Sequence, residues 1–561
     1  MSRARAALRL RSALALALSG CVQADPSSTK AGGAADTAPT GADTGPGDDS
    51  GPAPAPWRSA LYPTDWAPGF GLGEDRLHDF SYAGYAAGEA PLPDLRSPPW
   101  SARWVSALDH GADPSGGSDS APALRAAIAA AGAAGGGVVH LPAGLYRLDS
   151  PIEITVSGIV LAGDGPETQL WFPTPTGAGF RSQISFRGAL TPGPRHALRA
   201  DGAAFDVVLQ VEDAGAFSVG DRVRVGQRIS PDWISDHGMD GYWTFSADQW
   251  RPFYQRTVVA VDAAAGTLTV DVPLRYPLLT RDEASVERVD GYLRDCGAQD
   301  LALSDAVGWA EAWAESQAHA LGMTEVEDCW IRGVQSFAGP SGRGPAGEEG
   351  QRHLRSGGII IERSRRVTVA ESALAWPQHR GEGGNGYLFE LRQSSEVLFR
   401  ENTAEAGRHN FIQNWDFGAT GNVWLRNRST GGESFTSPTD SRGVPAASET
   451  HHALSMANLF DSNQIDDAWK TVNRLSYSSG AGHTATACVY WNNVGEGTIT
   501  SYQYGRGYVI ASNGLEVQTT VIEAYESLGT APEDWVEDPP PGARVEPASL
   551  YDDQLERRLG G

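Results

Sequence analysis

The sequence predicts an all-β fold in which short strands recur and stack as the units of a solenoid. Gly and Pro are abundant, with 67 and 35 among 561 residues, which suits a repetitive β structure with many turns. Short apolar strands follow small polar turns again and again, for example near residues 301, 329, 367, 397 and 423. A β-sandwich or a propeller is the alternative, but a sandwich would show hairpin turns every ~8–12 residues. Because each unit can bury its inner side only against its neighbours, the pattern predicts a solenoid.

The first 56 residues have the features of an export signal followed by a spacer. A basic segment, Arg3 to Arg11, precedes an apolar run at 13–18 that is too short to span a bilayer. Leu18-Ser19-Gly20-Cys21 resembles the lipobox of bacterial lipoproteins, in which Cys21 is lipidated; a signal peptide (1–20) with a chance cysteine is the alternative. The resemblance implies an exported protein, lipid-anchored to the outer membrane or cell surface, with no other membrane contact. Residues 21–56 lack apolar bulk and are predicted to be a disordered tether.

The next two segments predict an arm and a capped first coil. Residues 57–100 are rich in aromatics and prolines, which indicates an irregular arm packed along the body. Asp119 or Ser120 can cap a helix with Pro122 in its first turn. The apolar face of this helix consists of Leu124, Ala127, Ile128 and Ala131, and strands are predicted at 104–108, 138–141, 145–148 and 159–163.

This stretch closely resembles the N-terminal coils of pectate lyase superfamily proteins over about residues 102–175. The resemblance lies in the runs ALDHGADPSGGSDSAPALRAAI, GGGVVHLPAGLYRL and GIVLAGDG, and the segment at 77–93 is similar to a lead-in found in this group. It implies a right-handed parallel β-helix whose open N-terminal end is closed by the helix. Residues 101–182 are then the N-terminal cap and first coils, and a substrate groove runs along one face.

Residues 183–290 interrupt the repeat and are predicted to form a small inserted antiparallel β subdomain. Segments 207–211, 220–225, 258–261 and 267–272 alternate apolar and polar residues. An aromatic loop among them supplies three candidate sugar-stacking residues, Trp243, Trp250 and Tyr254; packing of the insertion onto the body is the alternative. The coils are expected to resume over 291–525, and a tail with a second capping helix is expected over 526–561.

Charge and cysteine content exclude several classes of function. The formal net charge of −25 argues against nucleic acid as a partner. An acidic polysaccharide would also be repelled unless arginines or a bound cation line the site. The cysteines lack zinc-site spacing. Cys296 and Cys329 could form a disulfide or lie as stacked thiols on adjacent coils. The residues leave the oligomeric state open.

Side chains with catalytic chemistry concentrate between residues 379 and 470. The candidates for moving a proton or stabilising charge are His379, Glu382, Arg408, His409, Asp416, His452 and Lys470. Arg380, Arg392 and Trp415 are candidates for binding substrate by carboxylate pairing and stacking. Residues one coil apart stack in space, so Glu382, His409 and His452 are expected to converge, beside Glu449 and His451. The alternative for each is a polar residue that satisfies loop backbone at a coil corner.

Lys470 is the one lysine predicted to lie in the folded body, and two acids precede it. Asp466 and Asp467 could bind Ca²⁺ or act as an acid and base pair. Their order with Asp461 and His483 is faintly similar to polygalacturonase motifs, but the spacing differs.

The resemblance carries an expectation about chemistry. Lyases of this superfamily abstract the C5 proton of a uronate, often with calcium, whereas its hydrolases use two or three carboxylates. We therefore expect a secreted enzyme that cleaves a uronic-acid-containing polysaccharide, by β-elimination in preference to polygalacturonase-like hydrolysis. A non-catalytic glycan-binding or adhesive β-helix is the alternative. An enzyme requires acids, histidines and arginines that converge in a groove, whereas a binding module requires only exposed aromatics.

Overall fold

The computed structural model describes residues 55–68, 76–174, 182–345, 352–440, 442–520 and 532–560. The predicted signal peptide, Cys21 and almost all of the tether lie outside these ranges, so they stay predictions. Across the described ranges, no helix is both long enough and apolar enough to cross a membrane.

Each coil of the body contributes strands to three faces, and successive coils pair in parallel. Two faces belong to one twenty-stranded sheet, and the third is a separate ten-stranded sheet. Strands Gly297–Ser304 and Val326–Ser336 turn the corner between the first two faces, because their beginnings and ends pair with strands of different faces. The predicted parallel β-helix is confirmed.

The strands and helices have the following bounds. The first face contains Trp104–Ser106, Gly137–His140, Ile159–Ala162, Leu293–Arg294, Arg365–Ala370, Leu398–Arg400, Val423–Leu425, Leu459–Asp461, Val489–Trp491, Tyr508–Ile510 and Trp535–Glu537. The second face contains Ser115–Asp119, Gly144–Arg147, Thr168–Trp171, Ala373–Ala375, Thr403–Glu405, Arg428–Thr430 and Gln464–Ile465. The third face contains Ile152–Ile154, Ser182–Arg187, His319–Thr324, Gly357–Glu362, Tyr387–Arg392, His409–Gln413, Ser448–Thr450, Ala468–Thr471, Thr498–Ser501 and Glu516–Gln518. Short pairs join Pro56–Trp57 to Arg544–Val545, Glu433–Ser434 to Val444–Pro445, and Ser455–Met456 to Ala485–Thr486. The α-helices are Ala121–Ala133, Pro231–Asp236, Trp309–Ala314, Tyr477–Gly480 and Leu550–Gly560, and 3₁₀ turns occur at Tyr85–Gly88, Trp100–Ala102, Ala107–His110, Ala214–Ala216 and Thr280–Asp282.

The capping helix is Ala121–Ala133, and the residues of its predicted apolar face are all buried. Pro122 lies in its first turn, and the Asp119 carboxylate accepts a hydrogen bond from the Ala121 amide at 3.0 Å. The buried face packs on the first coil and closes the hydrophobic core at this end.

A column of buried asparagines runs along the corner between the first and second faces. The residue before each asparagine has a positive φ, for example 51° at Arg426 and 55° at Ser462. This sharp corner directs Asn427 and Asn463 inward, where both are almost fully buried. Asn463 donates to Asn493 Oδ1 at 3.0 Å and to the Trp424 carbonyl at 2.9 Å, while its own Oδ1 accepts from the Asn427 amide at 2.9 Å. The column therefore satisfies the backbone groups that the corner leaves unpaired.

Replacement of Asn463 by alanine should lower the free energy of unfolding by about 2–4 kcal/mol, since several buried polar groups lose a partner at a cost of ~1–3 kcal/mol each. Denaturant unfolding followed by circular dichroism measures the effect. The exposed Asn513 is the matched control, and its alanine variant should behave like the parent protein. Equal stability of the two variants would contradict a stabilising role for the column.

The insertion forms a six-stranded antiparallel sheet. Its strands, in spatial order, are Thr191–Ala197, Ser285–Asp290, Arg222–Arg228, Trp250–Asp262, Thr267–Val270 and Val208–Gln210. The strand Ser182–Arg187 pairs with His319–Thr324 in the third face, so the insertion begins after it rather than at residue 183.

A buried charge cluster ties the insertion to the body. The Glu327 carboxylate, fully buried on the body, lies 3.1 Å from Arg222 Nε of the insertion and 3.0 Å from Arg366 Nη2. It also pairs with Arg294 and lies 3.8 Å from Arg365 Nε.

The arm and the C-terminal helix pack together on the outside of the first face. Tyr62 Oη donates to Asp553 at 2.6 Å, and the Phe80 amide donates to Gln554 Oε1 at 2.8 Å. The sequence predicted that this helix covers the last coil. Instead, the Tyr551 amide donates to Asp461 at 2.9 Å, on a strand that lies three strands before the end of the first face. The reason is an apolar outer column on this face, Val423, Leu459 and Val489, which the helix and arm bury.

The buried cysteines 296, 329 and 488 are free thiols. The Cys296 amide donates to Cys329 Sγ at 3.3 Å, as expected for thiols stacked on adjacent coils and not for a disulfide.

Candidate functional site

A cleft of about 630 Å³ opens beside the third face of the body. We call it the arginine cleft. Its lining comprises Gln317, Glu382, Gly383, Gly384, Tyr387, Arg392, Arg408, Asn414, Trp415, His451, Arg474, Ser478 and Ser479. Parallel stacking produces this gathering: Tyr387 pairs in register with His409, and Ile412 pairs with Glu449. Residues far apart in sequence therefore meet on one surface.

The first of two buried carboxylates behind the cleft is Glu390. It lies 2.7 Å from His319 Nε2 and accepts hydrogen bonds from Arg392 Nε at 2.6 Å and Asn414 Nδ2 at 2.9 Å. Burial alone would raise its pKa, but Arg392 and His319 outweigh burial and lower the pKa to about 2. Glu390 is thus ionised and fixes Arg392 at the cleft wall.

The second buried carboxylate is Glu449. Its Oε1 lies 2.5 Å from His451 Nδ1, and its Oε2 pairs with Arg474. Burial opposes ionisation, yet Arg474, His409 and His451 lower the pKa of Glu449 well below its usual range. An ionised carboxylate only accepts, so His451 carries its proton on Nδ1 and presents the Nε2 lone pair. Burial and then Arg474 lower the pKa of His451, so the ring is neutral.

His409 approaches the same carboxylate from behind. Its Nδ1 lies 2.5 Å from the Ala447 carbonyl oxygen, which can only accept, so Nδ1 carries the proton. Its Nε2 lies 3.3 Å from Glu449 Oε1. Burial first, and then Arg408, lower the pKa of His409 to about 3, so the ring is neutral. The ring is also buried, away from the cleft surface.

The insertion positions the loop that carries Ser478. The Thr244 amide donates to the Gly480 carbonyl at 3.2 Å, and Thr244 Oγ1 donates to the Ser479 carbonyl at 3.3 Å. A Cβ on Gly480 would lie 2.0 Å from Thr244 Oγ1, and both Gly480 and Gly482 have positive φ, so glycine is required here. Held in this way, Ser478 places its Oγ 2.9 Å from His451 Nε2.

Arginines dominate the surface that a ligand would meet. Arg392, Arg408 and Arg474 line the cleft, and among its described lining residues Glu382 is the single acid. Beneath Arg408 lies the Tyr387 ring, 6.0 Å from the guanidinium carbon, and burial raises the pKa of Tyr387 to about 12. Trp415 forms part of the rim with 44% of its surface exposed.

The structure brings five of the sequence-predicted residues to this region. Glu382, Arg392, Arg408 and Trp415 line the cleft. His409 lies behind it. Lys470 is not one of these five: it lies on the next strand of the third face, where it pairs in register with Glu449, and it is not among the described lining residues of the cleft.

Four other candidates have separate structural partners. His379 packs on Trp313 and lies 3.1 Å from the Glu315 carbonyl. Arg380 pairs with Glu433 at 3.0 Å, and Asp416 with Arg251 at 3.0 Å. The buried His452 packs between Phe245 and Trp415, and burial lowers its pKa to about 2. The expected convergence of His452 with His409 and Glu382 therefore does not occur, because its neighbour His451 takes that place.

The aromatic loop of the insertion is mainly a packing element. Trp243 and Tyr254 are almost completely buried in the insertion core, so they are not available to stack on a sugar. Trp250 is half-buried with the Arg195 guanidinium 4.9 Å above its ring, in a different groove. Trp243 and Tyr254 therefore fit the alternative interpretation, in which this loop packs the insertion onto the body.

Two groups of side chains carry the atoms that cations bind. Asp467 accepts from Ser429, Asn410 and Gly432, and burial raises its pKa to about 6, whereas Asp466 pairs with Arg428. The predicted calcium ligands thus have separate partners and do not fit a shared ion. His409, Glu449 and His451 place three ligand atoms within 4.8 Å of one another. However, His451 Nδ1 lies at hydrogen-bond distance, 2.5 Å, from Glu449 Oε1, and Arg474 already pairs with the other carboxylate oxygen, so this geometry favours a hydrogen-bonded relay.

Sequence reasoning missed three residues of the cleft: Tyr387, Arg474 and Ser478. Tyr387 is recognisable as the residue one coil before His409. Nothing local marks Arg474 or Ser478, since their position depends on a loop held by the insertion, about 235 residues earlier in the chain.

The N-terminal coils have recognisable relatives. Residues 104–177 match the family model of rhamnogalacturonase A/epimerase, pectate lyase-like proteins, which confirms the predicted resemblance. Mannuronan C5-epimerase AlgE1 of Azotobacter vinelandii is 51% identical over 65 residues, which are 10% of this chain and 5% of that protein.

Three solved structures that match this chain are each 13% identical to it in sequence. The tailspike protein gp49 from Pseudomonas phage LKA1 has a TM-score of 0.37, covering 74% of this chain and 76% of its own. PfbA, a surface adhesin of Streptococcus pneumoniae, has a TM-score of 0.35, covering 74% and 89%. The A-module of the Azotobacter vinelandii mannuronan C-5 epimerase AlgE4 has a TM-score of 0.25, covering 79% and 100%.

Proposed function

From a pectate lyase-like N-terminal segment and an arginine-lined cleft, we propose that this protein is an exported enzyme that cleaves a uronic-acid-containing polysaccharide by β-elimination. The observation that carries the proposal is the cleft wall: three arginines, a neutral histidine and a tyrosine meet beside an exposed tryptophan. The proposed export and anchoring at Cys21 rest on the lipobox-like sequence.

The arginines support an acidic substrate on a protein whose formal net charge is −25. Their counter-charges, Glu390 and Glu449, are buried behind the wall, so guanidinium groups face the ligand. A planar guanidinium pairs with a carboxylate through two parallel hydrogen bonds. Neutralising a uronate carboxylate in this way acidifies the C5 proton next to it.

The remaining residues supply the proton transfers. His451 Nε2 has the lone pair and the neutral state that a base for the C5 proton requires. Tyr387, protonated because its pKa is raised to about 12, serves as the acid that protonates the departing glycosidic oxygen. The arginines stabilise the negative charge that develops on the carboxylate between these two events.

The two other candidate functions have less support. Hydrolysis requires two carboxylates facing each other across the substrate, about 5–10 Å apart. Within the described part of the cleft, Glu382 is the one carboxylate at the surface. A purely adhesive function does not require a histidine and a tyrosine held beside buried ion pairs, although Trp415 would serve either function.

Absorbance near 235 nm tests the proposal. Purified residues 57–561 are incubated with polygalacturonate, alginate and other uronate polymers, with calcium or with chelator. A rise in absorbance reports the unsaturated product of elimination, and Tyr387→Phe should abolish it. New reducing ends without absorbance would contradict elimination and indicate hydrolysis. Absence of both, with retained glycan binding, would indicate adhesion.

Substitution of Trp415 by alanine should raise KM about tenfold with little change in kcat, since one lost stacking contact is worth ~1–1.5 kcal/mol. Initial rates over a range of polymer concentrations measure the effect. Trp104, which is 43% exposed on the first face, is the matched control and its alanine variant should keep the parent KM. A change in kcat alone would contradict a binding role for Trp415.

A further inference from the structure

We propose that Ser478, His451 and Glu449 form a nucleophilic triad that hydrolyses ester groups on a polysaccharide bound in the arginine cleft. This activity goes beyond elimination, because it breaks a carbonyl–oxygen bond of a substituent and not the glycosidic bond. The substrate class is a sugar polymer bearing O-acyl groups or esterified carboxylates.

The three side chains form a continuous hydrogen-bonded line. Ser478 Oγ lies 2.9 Å from His451 Nε2, and His451 Nδ1 lies 2.5 Å from Glu449 Oε1. Both bonds are within the range expected of a nucleophile, its base and the group that orients the base. Arg474 holds the other Glu449 oxygen, so the carboxylate cannot turn away from the histidine.

The protonation states of Glu449 and His451 determine which way a proton moves among the three side chains. The ionised Glu449 accepts from His451 Nδ1, so Nε2 is the acceptor of the Ser478 hydroxyl proton. If these hydrogen bonds only satisfied polar groups of the loop, the serine would not need to face the surface that contacts the ligand. Ser478 and His451 instead both line the cleft, while Glu449 is 3% exposed behind them.

The backbone holds the nucleophile in an unusual conformation. Ser478 and the following Ser479 have positive φ values of 51° and 66°. Such conformations cost free energy for residues other than glycine and persist where surrounding contacts impose them. Thr244 of the insertion contacts this loop through hydrogen bonds to the Ser479 and Gly480 carbonyls. Two elements of the fold thus cooperate to place one hydroxyl.

The reaction balances without any co-reactant other than water. Ser478 Oγ attacks the ester carbonyl while its proton passes to His451 Nε2. The tetrahedral oxyanion lies in a cleft lined by the guanidinium groups of Arg408 and Arg474, which can stabilise it. His451 returns the proton to the departing alcohol oxygen as that bond breaks. Water, deprotonated by His451, then attacks the acyl-serine; the acid is released as His451 returns that proton to Ser478 Oγ and restores the free enzyme.

The test uses a fluorophosphonate probe and p-nitrophenyl acetate on the purified full chain. We expect one covalent adduct, mapped by mass spectrometry to Ser478, and steady release of p-nitrophenol. Ser478→Ala should abolish labelling and reduce hydrolysis ~10³-fold or more, as expected for a residue that acts as part of a triad. The control is Ser476→Ala, which changes an exposed serine of the same loop and should label like the parent.

Acetate released from O-acetylated polygalacturonate gives a second readout, independent of absorbance at 235 nm. Loss of ester hydrolysis in Ser478→Ala supports the triad whether or not the parent shows elimination, so failure of either proposal is separately visible. The triad is overturned if the folded parent neither labels nor hydrolyses esters, or if Ser478→Ala retains the parent rate.

Discussion

Replacement of Glu327 by alanine is expected to lower the free energy of unfolding by about 3–5 kcal/mol, the cost of leaving buried charges without their partner. Glu327 is fully buried and meets Arg222 of the insertion as well as Arg294, Arg365 and Arg366 of the body. Without it, the four guanidinium groups lose the carboxylate they share, although Arg365 keeps Asp271 and Arg366 keeps Asp328. The loss should loosen the insertion first.

Denaturant unfolding of purified residues 57–561 provides the measurement. The matched control is Glu371→Ala, which removes a half-exposed carboxylate 3.7 Å from Arg400 and should cost at most ~1 kcal/mol. Similar losses in the two variants would contradict the importance of the buried cluster.

The same residue predicts a pH dependence. Burial by itself would raise the pKa of Glu327, but Arg365, Arg366 and Arg294 outweigh burial and lower it. A carboxyl whose pKa is depressed on folding stabilises the protein above its unfolded pKa and loses that contribution as pH falls through the folded value. As the pH is lowered below 4.5, the free energy of unfolding of the parent should therefore decrease more steeply than that of Glu327→Gln. Parallel curves would contradict this.

Replacement of His451 by alanine is expected to reduce cleavage of uronate polymers ~10³-fold, within the range that a positioned base contributes. It should also abolish ester hydrolysis, because the serine then has no group to accept its proton. The folded state should be retained, since Glu449 keeps Arg474 as its partner. The control is His110→Ala, which changes an exposed histidine at the capped end of the body.

The pH profile distinguishes a catalytic His451 from a structural one. Glu449, Arg474, His409, Arg408 and Ser478 surround its ring, and burial together with Arg474 lowers its pKa below the ordinary 6.5. A base with a lowered pKa stays neutral further into the acid range, so the acid limb of kcat/KM should lie below pH 6.5. An acid limb above that value would contradict His451 as the base.

The periodicity of the sequence predicted stacked units that repeat the same strand and turn chemistry, and the resemblance of residues 102–175 to pectate lyase superfamily proteins implied that these units are coils of a parallel β-helix. The sequence also located the capping helix, since Asp119, Pro122 and the alanine-rich face are local signals. The position of the C-terminal helix could not be predicted. Its docking site is an apolar column, Val423, Leu459 and Val489, that belongs to three different coils.

The arginine cleft was predictable only in part, for the same reason. Arg392, Arg408 and Trp415 stand out because coil stacking brings neighbouring repeats together. His452 and His451 are equivalent in sequence, and only the side-chain geometry shows that His451 faces Glu449. Trp243 looked like a ligand residue because sequence alone does not distinguish an exposed ring from one buried in a separate core.

The docking of the arm has a consequence for the order in which the chain can fold. Residues 62 and 80 are translated early, yet their partners Asp553 and Gln554 are translated after nearly all of the body. Strand Pro56–Trp57 likewise waits for Arg544–Val545. The part of the arm that contacts residues 544–554 therefore cannot dock until those residues have been made, whereas Gly84 and Tyr85 can already bond to Glu396 and Thr368. Proteases that nick a nascent or partly unfolded chain should cut first between residues 57 and 68.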